Sequence, residues 1–180
     1  MTGASLASES KFLAGIPVRD QRLILGVAER RCVSAKQMIV QSGDPALCLF
    51  LLQDGNVKYY RVTDQGEELL LGWLTPGDVF GLATLVKDPP GYMGSAQADK
   101  DCVLWAWDHP SIRSLSGVYP QLAENALRVT MNYLAAYVDR HAGLATKSAG
   151  ERLAHTLLQL GHRAGRSHQT SPRRILRNDQ

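Results

Sequence analysis

Gly77-Asp78-Val79-Phe80-Gly81-Leu82-Ala83-Thr84-Leu85 is the stretch that decides the fold, and Gly94-Ser95-Ala96-Gln97-Ala98 follows it. Its order is a glycine turn, a short helix and a return into a strand, which is the framework of a phosphate-binding loop. A buried phosphate is normally paired with a charged donor. The one cation within 77–98 is Lys87, and the following Asp88-Pro89-Pro90 places it at a loop tip. The stretch therefore predicts a ligand-binding loop without the charge that an anionic ligand requires.

Short strands separated by turn residues surround this loop. We expect strands at 37–41, 47–53, 56–62, 67–74 and 103–107. The strand at 47–53 is largely apolar, as in a strand buried on both faces. Asp54-Gly55 predicts a two-residue hairpin, after which 56–62 pairs back on 47–53. The regular spacing and glycine-rich corners predict a small antiparallel sandwich or barrel.

Helical patterns flank the strands. The first begins at Asp20, a plausible N-cap, and places Leu23, Ile24, Val27 and Ala28 on one face. A longer helix follows Pro120 and carries two apolar stripes, each with spacings of four and three residues. The first stripe consists of Leu122, Ala126, Val129, Tyr133 and Ala136. The second stripe consists of Leu127, Met131, Leu134, Val138 and His141.

Two stripes on one helix indicate two partners. One stripe would dock the helix on the barrel, and a second copy of the chain is the simplest partner for the other. The alternative is that both stripes pack within one chain. Gly143 is expected to end this helix, and Ser148-Ala149-Gly150-Glu151 has the spacing of a capping box for a further helix. Residues 162–180 are polar and Arg-rich, so we expect them to be loose.

Composition limits the class of protein. The chain has 180 residues with a hydrophobic fraction of 44%, which suits one ordered domain plus an appendage. A net charge of +3 does not by itself argue for nucleic-acid binding. No signal peptide and no stretch of about 20 apolar residues is found, so we expect a cytoplasmic protein that has no membrane partner. Cys32, Cys48 and Cys102 are expected to be reduced thiols that act as small core residues.

The order of these elements resembles the cyclic-nucleotide-binding fold of the catabolite-activator/FNR (Crp/Fnr) family of bacterial transcription regulators. The resemblance covers roughly residues 12–165. The motifs that carry it are Gly43-Asp44-Pro45-Ala46, Gly55-Asn56-Val57-Lys58, Gly66-Glu67-Glu68-Leu69, Leu74-Thr75-Pro76-Gly77-Asp78-Val79-Phe80-Gly81 and Arg152-Leu153-Ala154-His155-Thr156-Leu157-Leu158-Gln159-Leu160.

The resemblance implies a mainly β fold with flanking helices. Its centre is a double-stranded β-helix or jelly-roll barrel, and a long dimerisation helix follows. By residue number, it implies a cyclic-nucleotide-binding-like sensor domain at 10–118 and the dimerisation helix at 119–143. Residues 148–180 would be the start of a truncated DNA-binding domain with an Arg-rich tail.

The resemblance also implies an effector pocket. It would consist of Phe80, Gly81, Leu82, Ala83, Gly94, Ser95 and Ala96. Family members that bind cyclic AMP carry a Glu directly after Phe-Gly and an Arg directly before Ser/Thr-Ala, where this chain has Leu82 and Gly94. A cyclic phosphate buried there would lack its cation, so we expect no cyclic AMP binding. The alternatives are an empty or apolar pocket, or an unknown small-molecule effector in a roomier, more apolar site, where Ser95 and the N–H groups of 81–83 could give an anion weak support.

The sequence gives little support to an iron–sulfur cluster, a haem group or an enzymatic activity. An iron–sulfur version of the family needs an N-terminal group of cysteines, and none precedes Cys32. His109 and His141 could ligate haem by residue type, but we expect them to be packing or interface residues, and we expect no metal or cofactor. No catalytic constellation can be placed, so the chain is not expected to be an enzyme.

The predicted function is that of an effector-sensing, dimerising domain of a Crp/Fnr-type regulator. The homodimer would form through the second stripe, and 143–148 would act as a hinge. DNA is an expected partner only if the full-length protein has a complete helix-turn-helix, because the winged helix-turn-helix is missing or incomplete here. The alternative is a free-standing cyclic-nucleotide-binding-like module that acts through protein partners.

Overall fold

A computed structural model describes residues 10–146, with side chains described for residues 10–139. Eight strands lie between helical segments in it. In chain order the elements are a 3-10 turn Lys11–Leu13, α1 Val18–Val27, β1 Glu29–Val33, β2 Met38–Val40, β3 Cys48–Asp54, β4 Val57–Val62, β5 Glu68–Leu74, β6 Val79–Phe80, a second 3-10 turn Leu82–Leu85, β7 Ser95–Ala98, β8 Cys102–Asp108, α2 His109–Val118 and α3 Pro120–Thr146.

The strands form two four-stranded antiparallel sheets. The first sheet has the order β1-β8-β3-β6, and the second has the order β2-β7-β4-β5. Apart from the consecutive pair β4 and β5, neighbours within a sheet come from distant parts of the chain, so that Leu51 lies opposite Trp105 in the first sheet and Tyr59 opposite Ala96 in the second. Long connections that interleave two antiparallel sheets make a jelly roll. The predicted mainly β barrel with flanking helices is confirmed.

Strand β3 is buried on both faces, as its apolar run predicts. Leu49 and Leu51 belong to an outer core between the first sheet and the helices, together with Trp107. Phe50 and Leu52 belong to a barrel core between the two sheets. Because side chains alternate along a strand, a strand with a core on each side must be apolar at consecutive positions.

The predicted hairpin at Asp54-Gly55 is wrong. Strand β3 pairs with β8 and β6, whereas β4 pairs with β5 and β7, so the glycine turn carries the chain from one sheet to the other. Gly55 has a φ of +95°, and a Cβ there would lie 2.5 Å from the Asp101 carbonyl oxygen. A turn motif fixes where the chain reverses, but it does not determine which strands then exchange hydrogen bonds.

Helix α1 differs from the predicted helix in its first residue and in its buried face. It begins at Val18, and Asp20 lies in its first turn without capping it. The buried face contains Gln21 and Ile24, whereas the predicted core residue Leu23 is 54% exposed. The cause is a polar anchor, because Gln21 Nε2 donates to the carbonyl oxygens of Leu13 at 3.2 Å and Ile16 at 2.7 Å.

The cysteines do not share one environment. Cys102 is buried and Cys48 is half-buried, as small core residues should be, but Cys32 is exposed. Along β1 the side chains of Arg31 and Val33 are half-buried, and Cys32 between them points to the opposite, exposed face of the strand. The prediction of a core position is therefore wrong for Cys32.

Helix α2 was not anticipated from the sequence, and α3 is longer than expected. The Asp108 carboxylate caps α2 by accepting a hydrogen bond from the Ser111 N–H at 2.8 Å. Helix α3 reaches Thr146 and so passes through Gly143, which was expected to end it. The chain divides into two compact units between Asn132 and Tyr133, within α3.

Candidate effector site

Gly81 lets the chain leave β6 and enter the 3-10 turn Leu82–Leu85. Its φ is +77°, in the left-handed region, and a Cβ there would lie 2.6 Å from the Cys48 carbonyl oxygen. The buried Thr84 hydroxyl donates to the Ala46 carbonyl oxygen at 3.0 Å. These contacts hold the loop against the start of β3, and the predicted glycine turn with its short helix is confirmed.

The first two residues of the turn have different surroundings. Leu82 packs against the outer core, on the side of the first sheet that the helices cover. Ala83 packs against the barrel core. The structure therefore does not place Leu82 with the other predicted pocket residues, and Ala83 takes the inward position. The helical turn, which alters the alternation of side chains, separates the two.

Phe80 and Ala96 both belong to the barrel core. The Phe80 ring stacks on that of Phe50, with centroids 5.0 Å apart and planes inclined by 17°. Both rings and the Ala96 side chain are buried. This part of the barrel is closely packed apolar core.

Ser95 already has a structural hydrogen bond. The side chain is buried at the start of β7, and its hydroxyl oxygen accepts the Ser42 N–H at 3.0 Å. The nearby Ser42 hydroxyl donates to the Met93 carbonyl oxygen at 3.5 Å. Ser95 thus ties the loop before β7 to the turn after β2.

Gly94 is not the open position that the sequence suggested. A Cβ on Gly94 would lie 2.8 Å from Cζ of Tyr59 and 3.1 Å from Cδ1 of Leu71. The Tyr59 ring also packs against the barrel core. The expected gain of room at Gly94 is therefore wrong, because Tyr59 occupies the space.

A cation outside the loop was missed by sequence reasoning. The Arg31 guanidinium lies 5.8 Å from the centroid of the Phe50 ring, and its Nη2 is 2.6 Å from a carboxylate oxygen of Glu29. By contrast Lys87 is exposed, as expected for a loop tip. The alternation of β1 could have revealed Arg31, because it shares a strand face with Val33, which packs against the barrel core.

Cys48 and Tyr92 form a neutral pair beside the loop. The Tyr92 hydroxyl accepts the Cys48 N–H and donates to the Cys48 carbonyl oxygen, both at 3.0 Å. Burial raises the pKa of the Cys48 thiol although the nearby Arg31 lowers it, and burial likewise raises the pKa of the Tyr92 phenol. Both groups therefore stay protonated at neutral pH, and Cys48 lacks the thiolate character of a nucleophile.

His109 attaches the loop to α2. Its Nδ1 lies 2.8 Å from the Thr84 carbonyl oxygen, and Arg113 Nη1 donates to the Leu85 carbonyl oxygen at 3.0 Å. His109 is half-buried and has a structural contact with the loop. In the part of the chain that the structure describes, no three His, Cys, Asp or Glu side chains come together as a metal site would require.

Helix α3 has a buried and an exposed apolar stripe. Leu122, Ala126 and Val129 are buried, which places the first half of the first stripe in the outer core. Four residues of the second stripe remain more than half exposed, namely Leu127, Met131, Leu134 and Val138. Residues 143–146 of the predicted hinge belong to α3. The side chain of His141 and the segment after Thr146, with the last two hinge residues, the further helix and the Arg-rich tail, lie outside the described residues. No helix among those described is long and apolar enough to cross a membrane.

Comparisons with known proteins agree with this geometry. Residues 30–117 match the cyclic nucleotide-binding domain family. Electron transport regulator A of Shewanella oneidensis is 28% identical over 139 residues, which cover 77% of this chain and 55% of that protein. The fumarate and nitrate reduction regulatory protein of Escherichia coli is 26% identical over 138 residues, covering 76% of this chain and 54% of that protein.

A solved structure extends the similarity to the fold. The Thermus thermophilus catabolite activator protein has a TM-score of 0.68 and 27% identity, and the match covers 86% of this chain and 72% of that one. The chain spans about half the length of the curated relatives it matches.

Proposed function

We propose that this chain senses an effector and dimerises. The premise is that it belongs to the catabolite-activator/FNR (Crp/Fnr) family of bacterial transcription regulators. Residues 10–118 would form the effector-sensing domain, and 119–143 would form most of the dimerisation helix. The barrel with its glycine loop supports the first assignment. The exposed apolar stripe on α3 supports the second.

The exposed stripe is the observation that carries the proposal. Leu127 and Met131, and farther along the helix Leu134 and Val138, expose more than half of their side chains. A row of large apolar residues at spacings of four and three is typical of the seam between two helices. A second copy of α3 presents the same row, which makes the interface self-complementary, as a two-fold dimer requires.

The effector is proposed not to be cyclic AMP. Phe80, Ala83 and Ala96 give the site an apolar lining, and Gly94 has no side chain with which to pair a phosphate. Burying an unpaired phosphate is unfavourable. The Arg31 guanidinium lies on β1, outside the loop, and forms an ion pair with Glu29.

Regulation would follow from a change in how two copies of α3 pair. An effector that binds one arrangement of the dimer more tightly than another shifts the population toward it. DNA contact would require a complete helix-turn-helix. The proposal therefore assigns sensing and dimerisation to this chain, and DNA binding only to a full-length protein that has a complete helix-turn-helix.

Sedimentation velocity at micromolar concentration tests the dimer. We expect a dimer for the wild type and a monomer for Leu134→Glu, because a charge in the seam is buried without a partner. Asn132→Glu is the control, since it adds the same charge to an exposed position of α3 outside the stripe. A monomeric wild type, or a Leu134→Glu variant that remains dimeric, would contradict the proposal.

A gel-shift titration distinguishes a DNA-binding regulator from a free-standing module that acts through protein partners. This chain and the full-length protein are titrated with random-sequence duplex and with upstream DNA of the source genome at two salt concentrations. A regulator gives a band with full-length protein that weakens as salt rises, because phosphate contacts release counterions. Absence of any band with the full-length protein would favour the alternative of a module that acts through protein partners.

A further inference from the structure

Thr84 lies where three parts of the fold meet, namely the segment before β3, the second 3-10 turn and α2. Its buried hydroxyl donates to the Ala46 carbonyl oxygen at 3.0 Å. Its own carbonyl oxygen lies 2.8 Å from Nδ1 of His109, and because a carbonyl oxygen only accepts, Nδ1 is the donor. The His109 N–H in turn donates to the Leu47 carbonyl oxygen at 2.9 Å. These bonds close a ring that joins the three parts.

A second side chain of α2 holds the same turn. Arg113 lies four residues after His109, so the two side chains share a face of α2. Its Nη1 donates to the Leu85 carbonyl oxygen at 3.0 Å. Helix ends leave carbonyl oxygens without donors of their own, and α2 supplies donors for two consecutive ones. His109 and Arg113 thus form a clamp on the turn.

The clamp is directly connected to α3. One residue, Tyr119, separates α2 from α3, and its N–H donates to the Leu115 carbonyl oxygen at 2.7 Å. The Tyr119 carbonyl oxygen accepts the Leu122 N–H at 3.0 Å, so the junction is itself hydrogen-bonded. The turn and both helices also share the outer core, through Leu82 and Leu85 of the turn, Ile112, Leu115 and Tyr119 of α2, and Leu122, Ala126 and Val129 of α3.

We propose that His109 and Arg113 are positioning residues that make the turn, α2 and the first turns of α3 move as one body. A change in the turn then reaches the exposed stripe of α3, which begins at Leu127. The proposal deepens the proposed function, on which it rests, because it names the residues through which the barrel acts on the dimerisation helix. It does not depend on which molecule changes the turn.

Hydrogen exchange tests the connection in monomer and dimer alike. Thr84→Val removes the hydroxyl that holds the turn, so exchange at the Val86 amide, which bonds within the turn, should accelerate. We expect the Leu122 amide to accelerate as well, by at least about fivefold, the low end of couplings between linked sites. In the His109→Ala/Arg113→Ala background the effect of Thr84→Val at Leu122 should fall below about twofold. An equal effect at Leu122 in both backgrounds, or none in either, would overturn the proposal.

Three variants are matched controls. Thr84→Ser keeps the hydroxyl and should exchange as the wild type does. Ser116→Ala removes a hydroxyl that donates within α2 to the Ile112 carbonyl oxygen at 2.9 Å, and should leave exchange in the turn unchanged. His109→Asn/Arg113→Lys keeps a donor at both clamp positions and should restore the response of Leu122 to Thr84→Val. Failure of this conservative pair to restore it would show that the hydrogen bonds are not the link.

Sedimentation distinguishes a failure of this proposal from a failure of the proposed dimer. If the wild type is a dimer, Thr84→Val should change its dissociation constant by at least about fivefold, and by less than about twofold without the clamp. A dimeric wild type whose dissociation constant does not respond to Thr84→Val would overturn the proposal. A monomeric wild type that keeps the coupling at Leu122 would contradict the proposed dimer and leave the connection between turn and helix supported.

Discussion

Gly81 is restricted to glycine by two separate requirements. Its φ of +77° disfavours any side chain, and its Cβ would overlap the Cys48 carbonyl oxygen at 2.6 Å. Because that oxygen also accepts the Tyr92 hydroxyl, it cannot move without breaking a hydrogen bond. The backbone here, rather than any side chain of the loop, fixes how the 3-10 turn leaves the barrel.

Gly81→Ala is therefore expected to lower the free energy of unfolding by about 2 kcal/mol or more. Gly72→Ala in β5 is the matched control, because Gly72 has no positive φ and nothing within 4 Å of its Cβ position. Urea denaturation of both variants measures the difference. Equal stability of the two variants would show that the left-handed turn is not a constraint.

Asp108 makes the stability of α2 depend on pH. Hydrogen bonds from the Ser111 side chain and backbone lower the pKa of the Asp108 carboxyl. A carboxyl whose pKa is lower in the folded state contributes stability above its unfolded-state pKa, and this is lost as pH falls through the folded-state pKa.

We expect Asp108→Ala to reduce the free energy of unfolding by about 1 kcal/mol at neutral pH, since it removes an N-cap. At roughly pH 3, below the ordinary pKa of an aspartate, the loss should be smaller because the wild-type cap is partly protonated. Asp108→Asn retains a cap acceptor and serves as the control. Urea denaturation at both pH values measures the difference, and a loss that does not change with pH would contradict the assignment.

Single residues were predictable from sequence where the backbone alone sets the requirement. Gly81 was identified from its motif because a turn of that shape needs a positive φ wherever it occurs. Tyr59, Arg31 and the true surroundings of Leu82 were not, because each depends on a strand or a core distant in sequence. The sequence therefore predicts the loop of the candidate site, but only the fold shows which residues surround that loop.

At the scale of elements, Asn125 connects α3 to the N-terminal segment. Its buried Nδ2 donates to the carbonyl oxygens of Phe12 at 2.9 Å and Ala14 at 2.8 Å. Its Oδ1 accepts from Gln121 at 3.2 Å. One side chain thus supplies the donors for carbonyls that no helix or strand satisfies.

Asn125→Ala is expected to destabilise the fold by about 2–3 kcal/mol, because it leaves buried carbonyl oxygens without donors. Hydrogen exchange should also accelerate at the amides of Leu13 and Ile16, which bond within the same segment. Asn132→Ala, at an exposed position of the same helix, should change stability by less than about 0.5 kcal/mol. Unchanged exchange at residues 10–16 would contradict the role of Asn125.

Helices and strands could be predicted from the sequence where the hydrophobic periodicity is strong. The predictions failed where a helix cap or the pairing of strands determines the structure. Strands β2 to β5 and β8, and helix α3, follow from hydrophobic patterns that burial imposes directly on sequence. Strands β1 and β6 were not predicted. Helix α2 was missed although Asp108 precedes a proline-containing first turn, which is a recognisable start signal. The pairing of β3 was mispredicted because sequence neighbours need not be sheet neighbours.

At the scale of the whole molecule, dimerisation makes stability depend on concentration. If two copies pair through α3, folding is coupled to association, and Tm should rise with protein concentration for the wild type. For Leu134→Glu we expect a Tm that does not vary with concentration. Calorimetry over a hundredfold range of concentration measures this, and a constant Tm for the wild type would contradict the dimer.

The first sheet lies between the barrel core and the outer core, and the side chains of one core can hardly move without affecting those of the other. On one side Phe50 stacks on Phe80, and on the other Leu51 packs in a cluster with residues of α1 and α3. Protein interiors are packed as densely as organic crystals, so a displaced ring on one side must be accommodated by the strand that carries it. Consecutive side chains of β3 thus pack in the two cores. A change of volume within the barrel therefore displaces β3 and, with it, the side chains that pack against the helices.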